Sequence, residues 1–312
     1  MTKENINTPY DDAFRTLLVK CPSLVVPLIN EAFHEKYESW EKVSVFHNEF
    51  FVGGSRQKER IADSHIGIQD KRYHAECQSR IDGTIAIRIF EYDAQIAAES
   101  VKMEDGKTTF TFPYSALLYL RCPTNTPGTI QMVFRVPNDS ISYEIPILKV
   151  PEYTADEILR KELYFLIPFH IFAYEKELGK INDDSERLED LLQVYKKFAG
   201  VLQQRVKEGR LTEYERQVIR DMTVKVTDSL AAKCDYVRRG VEDIMGGAIL
   251  ELEADKILNR GIDIGKTEGL LEGMLFTLIS LVQDGLIDVA EGARRANMSQ
   301  EEFEQRVKNN RV

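Results

Sequence analysis

The sequence predicts an α/β protein, with helices flanking a mixed sheet and an all-helical region after it. Three observations carry that prediction. Up to residue 150, helical patterns alternate with groups of strand patterns, an order that packs helices against a sheet. Ser115 to Arg121 is a near-continuous apolar run, as expected of a strand covered on both faces. From Thr154 onward the apolar periodicity is helical and stays so. The expected divisions are an α/β domain over 1–152, a helical region over 153–258 and a C-terminal helical tail over 259–312.

Composition narrows the classes. The chain has 312 residues, 43% hydrophobic and 29% charged, which is ordinary globular material. No 18-residue apolar run is present, so no membrane-spanning helix and no membrane partner are expected. The first residues lack the apolar stretch of a signal peptide. Cys21, Cys77, Cys122 and Cys234 are far apart with no CxxC pair, which points to reduced thiols in a cytoplasmic setting and away from a zinc cluster. A formal net charge of −10 gives no global attraction to nucleic acid, so any phosphate-binding surface must be local or bridged by a metal ion.

The elements follow in order. Pro9 to Val19 reads as a helix with Asp11 or Asp12 as its cap and Phe14, Leu17 and Leu18 as its apolar stripe. Pro22 breaks it, and a second helix runs from Leu24 to Phe33. Residues 43–52 read as a strand, 53–55 as a turn, and Arg56, Lys58 and Arg60 as a short basic segment. Residues 60–69 and 73–78 read as two strands joined by the polar turn 70–72. Asp82 can cap a helix to Glu99, with Ile85, Ile89, Tyr92 and Ile96 on one face and Arg88, Tyr92 and Gln95 along its edge. Strands are expected over 129–137 and 141–150, with Pro146 weakening the latter as a central strand. The segment 156–176 is expected to be helical, followed by long amphipathic helices over 186–208 and 212–231. Gly261, Gly265, Gly269 and Gly273 would form a stripe on a helix that lets another backbone approach. The tail over 281–307 reads as two short helices, the second opened by Ser299 with Glu302 three residues on. Its arginines and lysine are offset by acidic residues, so it suits protein contacts, and homo-oligomerisation through the helical C-terminal region is expected.

The chemistry concentrates in residues 60–78. Strand alternation puts His74, Glu76 and Gln78 on one face and Tyr73, Ala75 and Cys77 on the other. Asp63 sits among Ile61, Ala62, Ile66 and Ile68. Asp63 and Glu76 have twelve residues between them, which suits a hairpin that brings both carboxylates to one end of the sheet. Paired carboxylates repel unless a cation lies between them, and Mg²⁺ takes such oxygen ligands together with phosphate. Arg56, Lys58, Arg60, Lys71 and Arg72 could hold a DNA backbone. On geometry alone, a solvated face or an ion pair with a neighbouring Arg or Lys accounts for the same two acids.

The order Tyr10-Asp11-x-x-Phe14-Arg15, then Arg60-Ile-Ala-Asp63, then Tyr73-His-x-Glu76-x-Gln78, then Ile87-Arg88-Ile-Phe-Glu-Tyr92-Asp resembles the PD-(D/E)XK nuclease family transposases, relatives of the recombination-promoting nucleases. The resemblance covers roughly residues 8–150, with the glycine-striped tail similar to their C-terminal regions. It implies a restriction-endonuclease-like mixed-sheet core and a DNA endonuclease dependent on Mg²⁺, for which Mn²⁺ would substitute. By motif position it implies Asp63 and Glu76 as metal ligands, with Asp11 as a possible third. Gln78 stands where the wider superfamily has lysine; an amide can hydrogen-bond the attacking water but cannot deprotonate it. Arg88 is the candidate substitute cation, as a phosphate contact or an ion-pair partner of Glu91 or Asp63. The alternative is a nuclease-shaped protein that binds DNA or protein without cutting.

Overall fold

The computed structural model describes residues 8–46, 49–51, 59–61, 64–79, 83–123, 125–246, 275, 277–283, 286–296 and 298–309. The described strands are β1 (Val43–Phe46), β2 (Glu49–Phe51), β3 (Glu59–Ile61), β4 (His65–Ile68), β5 (Lys71–Gln78), β6 (Lys102–Glu104), β7 (Lys107–Thr109), β8 (Tyr114–Tyr119), β9 (Thr129–Val136) and β10 (Asp139–Lys149). Six of them form one mixed sheet in the order β1-β4-β5-β8-β10-β9. The β4–β5 and β9–β10 pairs are antiparallel hairpins, whereas β5–β8 and β8–β10 are parallel. A parallel neighbour needs a crossover, and between β5 and β8 that crossover carries α3 (Ile85–Glu99).

The alternation expected for β5 decides the layers. Tyr73, Ala75 and Cys77 face a large core shared with α1 (Pro9–Lys20) and α2 (Val25–Phe33). On the opposite face Leu117 and Tyr119 of β8 pack with Ile85 and Ile89 of α3 and with Ile145 and Ile147 of β10. β8 is therefore buried on both sides, as its apolar run implies. Its Ala116 and Leu118 point into the first core and Leu117 and Tyr119 into the second.

The helical region packs into that first core too. It contains α4 (Ala155–Arg160), α5 (Leu178–Asp183), α6 (Ser185–Lys207), α7 (Glu213–Leu230) and α8 (Asp235–Met245). Asp184 caps α6, and Thr212 with Glu215 forms a capping box on α7, so both long amphipathic helices begin where the sequence places them. The segment 156–176 is not one α-helix. Thr154 and Glu157 cap the short α4, Glu162 turns the backbone to φ 56°, and Tyr164–Glu177 continues as a 3-10 helix. Pro168 lies inside it and cannot donate to an α-helical ladder. Every side chain from Tyr164 to Phe172 is buried, so tertiary packing holds a conformation that seldom runs beyond a few residues.

Other departures have local causes. Thr8, not Asp11 or Asp12, caps α1, because its hydroxyl accepts from Asp11 N–H while the Asp11 carboxylate accepts from Thr8 N–H. Thr84 occupies the cap position of α3, and Asp82 lies outside the described residues. The expected strand over 60–69 is divided: β3 pairs with β2, and β4 starts at His65. The expected strand over 43–52 divides likewise into β1 and β2. The turn before β5 is Gln69-Asp70, one residue earlier than expected, with Gln69 at φ 54°. The β6–β7 hairpin turns on Asp105 (φ 50°) and Gly106 (φ 73°), the positive-φ pair that Asp-Gly favours. Pro146 is tolerated in β10 because it falls between two ladders. β10 pairs with β9 up to Pro146 and with β8 from Ile147.

The chain divides into two compact units, Met1–Ala248 and Ile249–Val312. In the second, helix α9 over 277–283, α10 (Val289–Arg295) and α11 (Gln300–Asn309) enclose a small core of Leu278, Ile279, Ala293 and Phe303. Ser299 caps α11 through Glu302 N–H, as the sequence pattern implies. Gly292 is needed there, since a Cβ would lie 2.7 Å from the Phe303 ring. The four glycines at 261, 265, 269 and 273 lie outside the described residues. Among the described residues no single helix is long and apolar enough to cross a membrane.

Candidate functional site

The polar face of β5 meets α3 in a closed chain of charges. Glu76 and His74 are two residues apart and so share a face. Both are buried, at 2% and 1% exposure, on a central strand with β4 on one side and β8 on the other. Buried ionised groups need partners. His74 Nε2 lies 3.2 Å from Glu76 Oε1, and His74 Nδ1 lies 2.7 Å from Asp93 Oδ1. Asp93 hangs from α3 and is fully buried. Ser115 of β8 donates to its Oδ1 at 2.7 Å, and Tyr143 of β10 donates to its Oδ2 at 3.1 Å. At the solvent side Arg88, also on α3, donates from Nη2 to Glu76 Oε2 at 2.8 Å and keeps 22% exposure. Tyr92, one turn beyond Arg88, sets its ring edge-on to His74.

The chain of contacts therefore alternates in sign: Arg88, Glu76, His74, Asp93. Burial alone would strip the proton from His74, but the hydrogen bonds to Asp93 and Glu76 outweigh it and lift its pKa to about 9. His74 is an imidazolium at neutral pH, and both its N–H groups donate. Burial pushes the Glu76 carboxyl up; the hydrogen bond and charge of His74, then Arg88, bring it below the usual carboxylate range. Two cations and two carboxylates so balance. His65, directly opposite His74 in the ladder, goes the other way. Burial first, then the charges of Arg72 and His74, lower it to about 4, so the pair is one neutral and one charged ring. Tyr143 is raised by burial and by the Asp93 charge and stays protonated as a donor.

One further contact closes the β4–β5 ladder. Ser64 Oγ accepts from Ala75 N–H and donates to Ala75 C=O, both at 2.8 Å. A side chain thus fills the place where a backbone partner would continue the β4–β5 ladder. The strand pairing ends at Ser64, immediately after position 63.

The expected site residues are distributed as follows. Glu76 and Arg88 are brought together as an ion pair. Gln78 is half-buried, two residues beyond Glu76 on the same face of β5. Asp63, Arg56 and Lys58 lie outside the described residues, as does the side chain of Arg60. Lys71 pairs with Glu35 at 2.5 Å, and Arg72 lies over the Phe46 ring. Asp11 is engaged in the cap of α1, whose apolar face packs on the side of the sheet away from α3. Cys77 is buried in the core. Sequence reasoning missed Asp93, Ser115 and Tyr143, and placed His74 on the face of Glu76 without a role in the site. Among the described residues no three His, Cys, Asp or Glu side chains converge as a metal site. A cleft of about 630 Å³, whose lining includes Asn30, Trp40, Lys161 and Glu215, opens elsewhere and contains none of the residues around Glu76.

In chemical terms the arrangement offers one carboxylate held ionised at the edge of a buried network, with a guanidinium that keeps 22% exposure beside it. His74 and Asp93 fix its orientation from behind, as outer partners do for functional carboxylates. In comparisons with family models, curated proteins and solved structures, nothing matches this chain.

Proposed function

We propose that the protein is a metal-dependent endodeoxyribonuclease with a restriction-endonuclease-like core of the PD-(D/E)XK type, related to the recombination-promoting nucleases and cutting DNA by phosphodiester hydrolysis. The observation that carries this reading is Glu76 itself. It is an ionised, oriented carboxylate on β5, the strand joined antiparallel to β4 and, through α3, parallel to β8. Asp63, next to Ser64 where the β4–β5 pairing ends, is proposed as the second acid.

The donor chemistry suits Mg²⁺: Glu76 would supply carboxylate oxygens, Gln78 an amide oxygen on the same face, and Asp63 would complete the set. A bound Mg²⁺ supplies a Lewis acid and a water acidic enough to attack at neutral pH. The chain's own residues do the rest. His74 and Asp93 hold the Glu76 carboxylate in one rotamer. Gln78 would orient the water by hydrogen bonding. Arg88 would leave Glu76 Oε2 to contact a phosphate oxygen, for which its planar fork is suited.

A specific observation favours a second reading, a nuclease-shaped binding protein. Both oxygens of Glu76 already accept from cationic donors, His74 and Arg88. Supercoiled plasmid with Mg²⁺ separates the two readings. The nuclease reading expects nicking by the wild type and a loss of about 100-fold or more in Asp63→Ala and Glu76→Gln. Equal behaviour of all three proteins would overturn it.

A further inference from the structure

We propose that the protein forms a two-fold dimer by antiparallel pairing of β9 with β9 of a second copy, extending each six-stranded sheet into the other. Among the described residues β9 pairs with β10 on one side and ends the sheet on the other. Its sequence, Thr129-Ile-Gln-Met-Val-Phe-Arg-Val136, carries one charge and neither proline nor glycine. Such an edge is a template for another strand, and natural sheets ordinarily blunt it with charge, proline or a bulge. Here Arg135 is the single charge, and the strand has neither proline nor bulge.

The β9–β10 ribbon is supported on one face only, where Ile130, Met132, Phe134 and Tyr143 pack towards α3. β10 pairs with β8 only over Ile147–Lys149, whereas it pairs with β9 over Asp139–Pro146. Most of the ribbon therefore projects past β8, and a two-stranded ribbon alone is marginal in water. On its other face and at its end, three apolar side chains are exposed: Val133 at 54%, Val136 at 46% and Ile141 at 60%.

The strand is complementary to itself. A two-fold axis normal to the sheet keeps each residue on its own face, so the axis must pass beside a residue rather than between two. Placed at Val133, it sets Val133 against its own copy and Ile130 against Val136. It sets Met132 against Phe134, on the face where Phe134 already stacks with Tyr143 and packs against Phe90. Gln131 then falls opposite Arg135, so the guanidinium meets an amide and no like charges face each other. Moving the axis to Met132 keeps a seven-residue overlap but leaves Arg135 against Thr129 and Val136 outside the pairing. The occupant that fits is a second copy of this chain.

The test uses the full chain with Cys122→Ser, since Cys122 is the half-buried native thiol among three buried ones. Light scattering after gel filtration should give twice the 35.9 kDa chain mass. Val133→Lys puts two ammonium groups opposite each other and should halve that mass with an unchanged far-ultraviolet spectrum. Val133→Cys places its thiols in a directly opposed pair, with Cβ atoms roughly 5 Å apart, and should give a covalent dimer on mild oxidation. A monomeric wild type, or a dimer that survives Val133→Lys while Val133→Cys fails to cross-link, would overturn the proposal.

Discussion

Asp93→Ala is expected to remove about 3–5 kcal/mol of folding stability, the loss seen when one member of a buried charge pair is deleted. Asp93 is fully buried and accepts from three groups, His74, Ser115 and Tyr143. Alanine leaves a buried imidazolium with one carboxylate instead of two, and the buried Ser115 hydroxyl and half-buried Tyr143 hydroxyl without that acceptor. Each orphaned hydroxyl costs about 1–3 kcal/mol. Set against a typical total stability of about 5–15 kcal/mol, the variant should be close to unfolding at 37 °C. Glu175→Ala is the control, because the Arg121–Glu175 pair is partly exposed and should be worth about 1 kcal/mol or less. Urea unfolding of the three proteins measures the difference. A cost for Asp93→Ala no larger than for Glu175→Ala would contradict the network.

Stability should also fall steeply on the alkaline side. His74 has a folded-state pKa of about 9 against the ordinary 6.5. A group raised on folding contributes fully below its unfolded pKa and loses that contribution as pH rises to the folded one. The window is therefore pH 6.5 to 9, and the loss across it is about 3 kcal/mol. His65 and His170 act in the opposite direction, since burial lowers each to about 4. Both are neutral when folded, so their contribution is present above pH 6.5 and lost as pH falls towards 4. Glu76, held low, adds a loss on the acid side. Stability should thus peak near pH 6.5. Urea midpoints taken every half pH unit from 4 to 9 check it, and a flat profile from 6.5 to 8.5 would contradict the charged state of His74.

Local patterns in the sequence carried much of the fold. The alternation at 73–78, the two-sided run at 115–121 and the amphipathic period of the long helices each express neighbouring residues, so they can be read without tertiary information. The 3-10 helix at Tyr164–Glu177 could not be read this way, because total burial around Pro168 overrides the helical period. The β6–β7 hairpin was legible in Asp105-Gly106 and was missed. The site was legible only in part. Glu76 follows from strand alternation. Asp93 left a signal, an acid adjoining the Ile89, Tyr92 and Ile96 stripe of α3, which marks a buried charge in need of a partner. Ser115 and Tyr143 left none, since they reach Asp93 only through the long-range placement of β8 and β10 beside β5.

The measurement that bears most directly on Glu76 as a functional carboxylate is calorimetric titration of the wild type and Glu76→Gln with Mn²⁺. The glutamine keeps the shape and one acceptor for Arg88, so the fold should survive the change. Saturable Mn²⁺ binding by the wild type, lost in the folded variant, is the predicted result. No binding by the wild type, or equal binding by both, would contradict it and leave Glu76 as an ion-pair partner of Arg88 and His74.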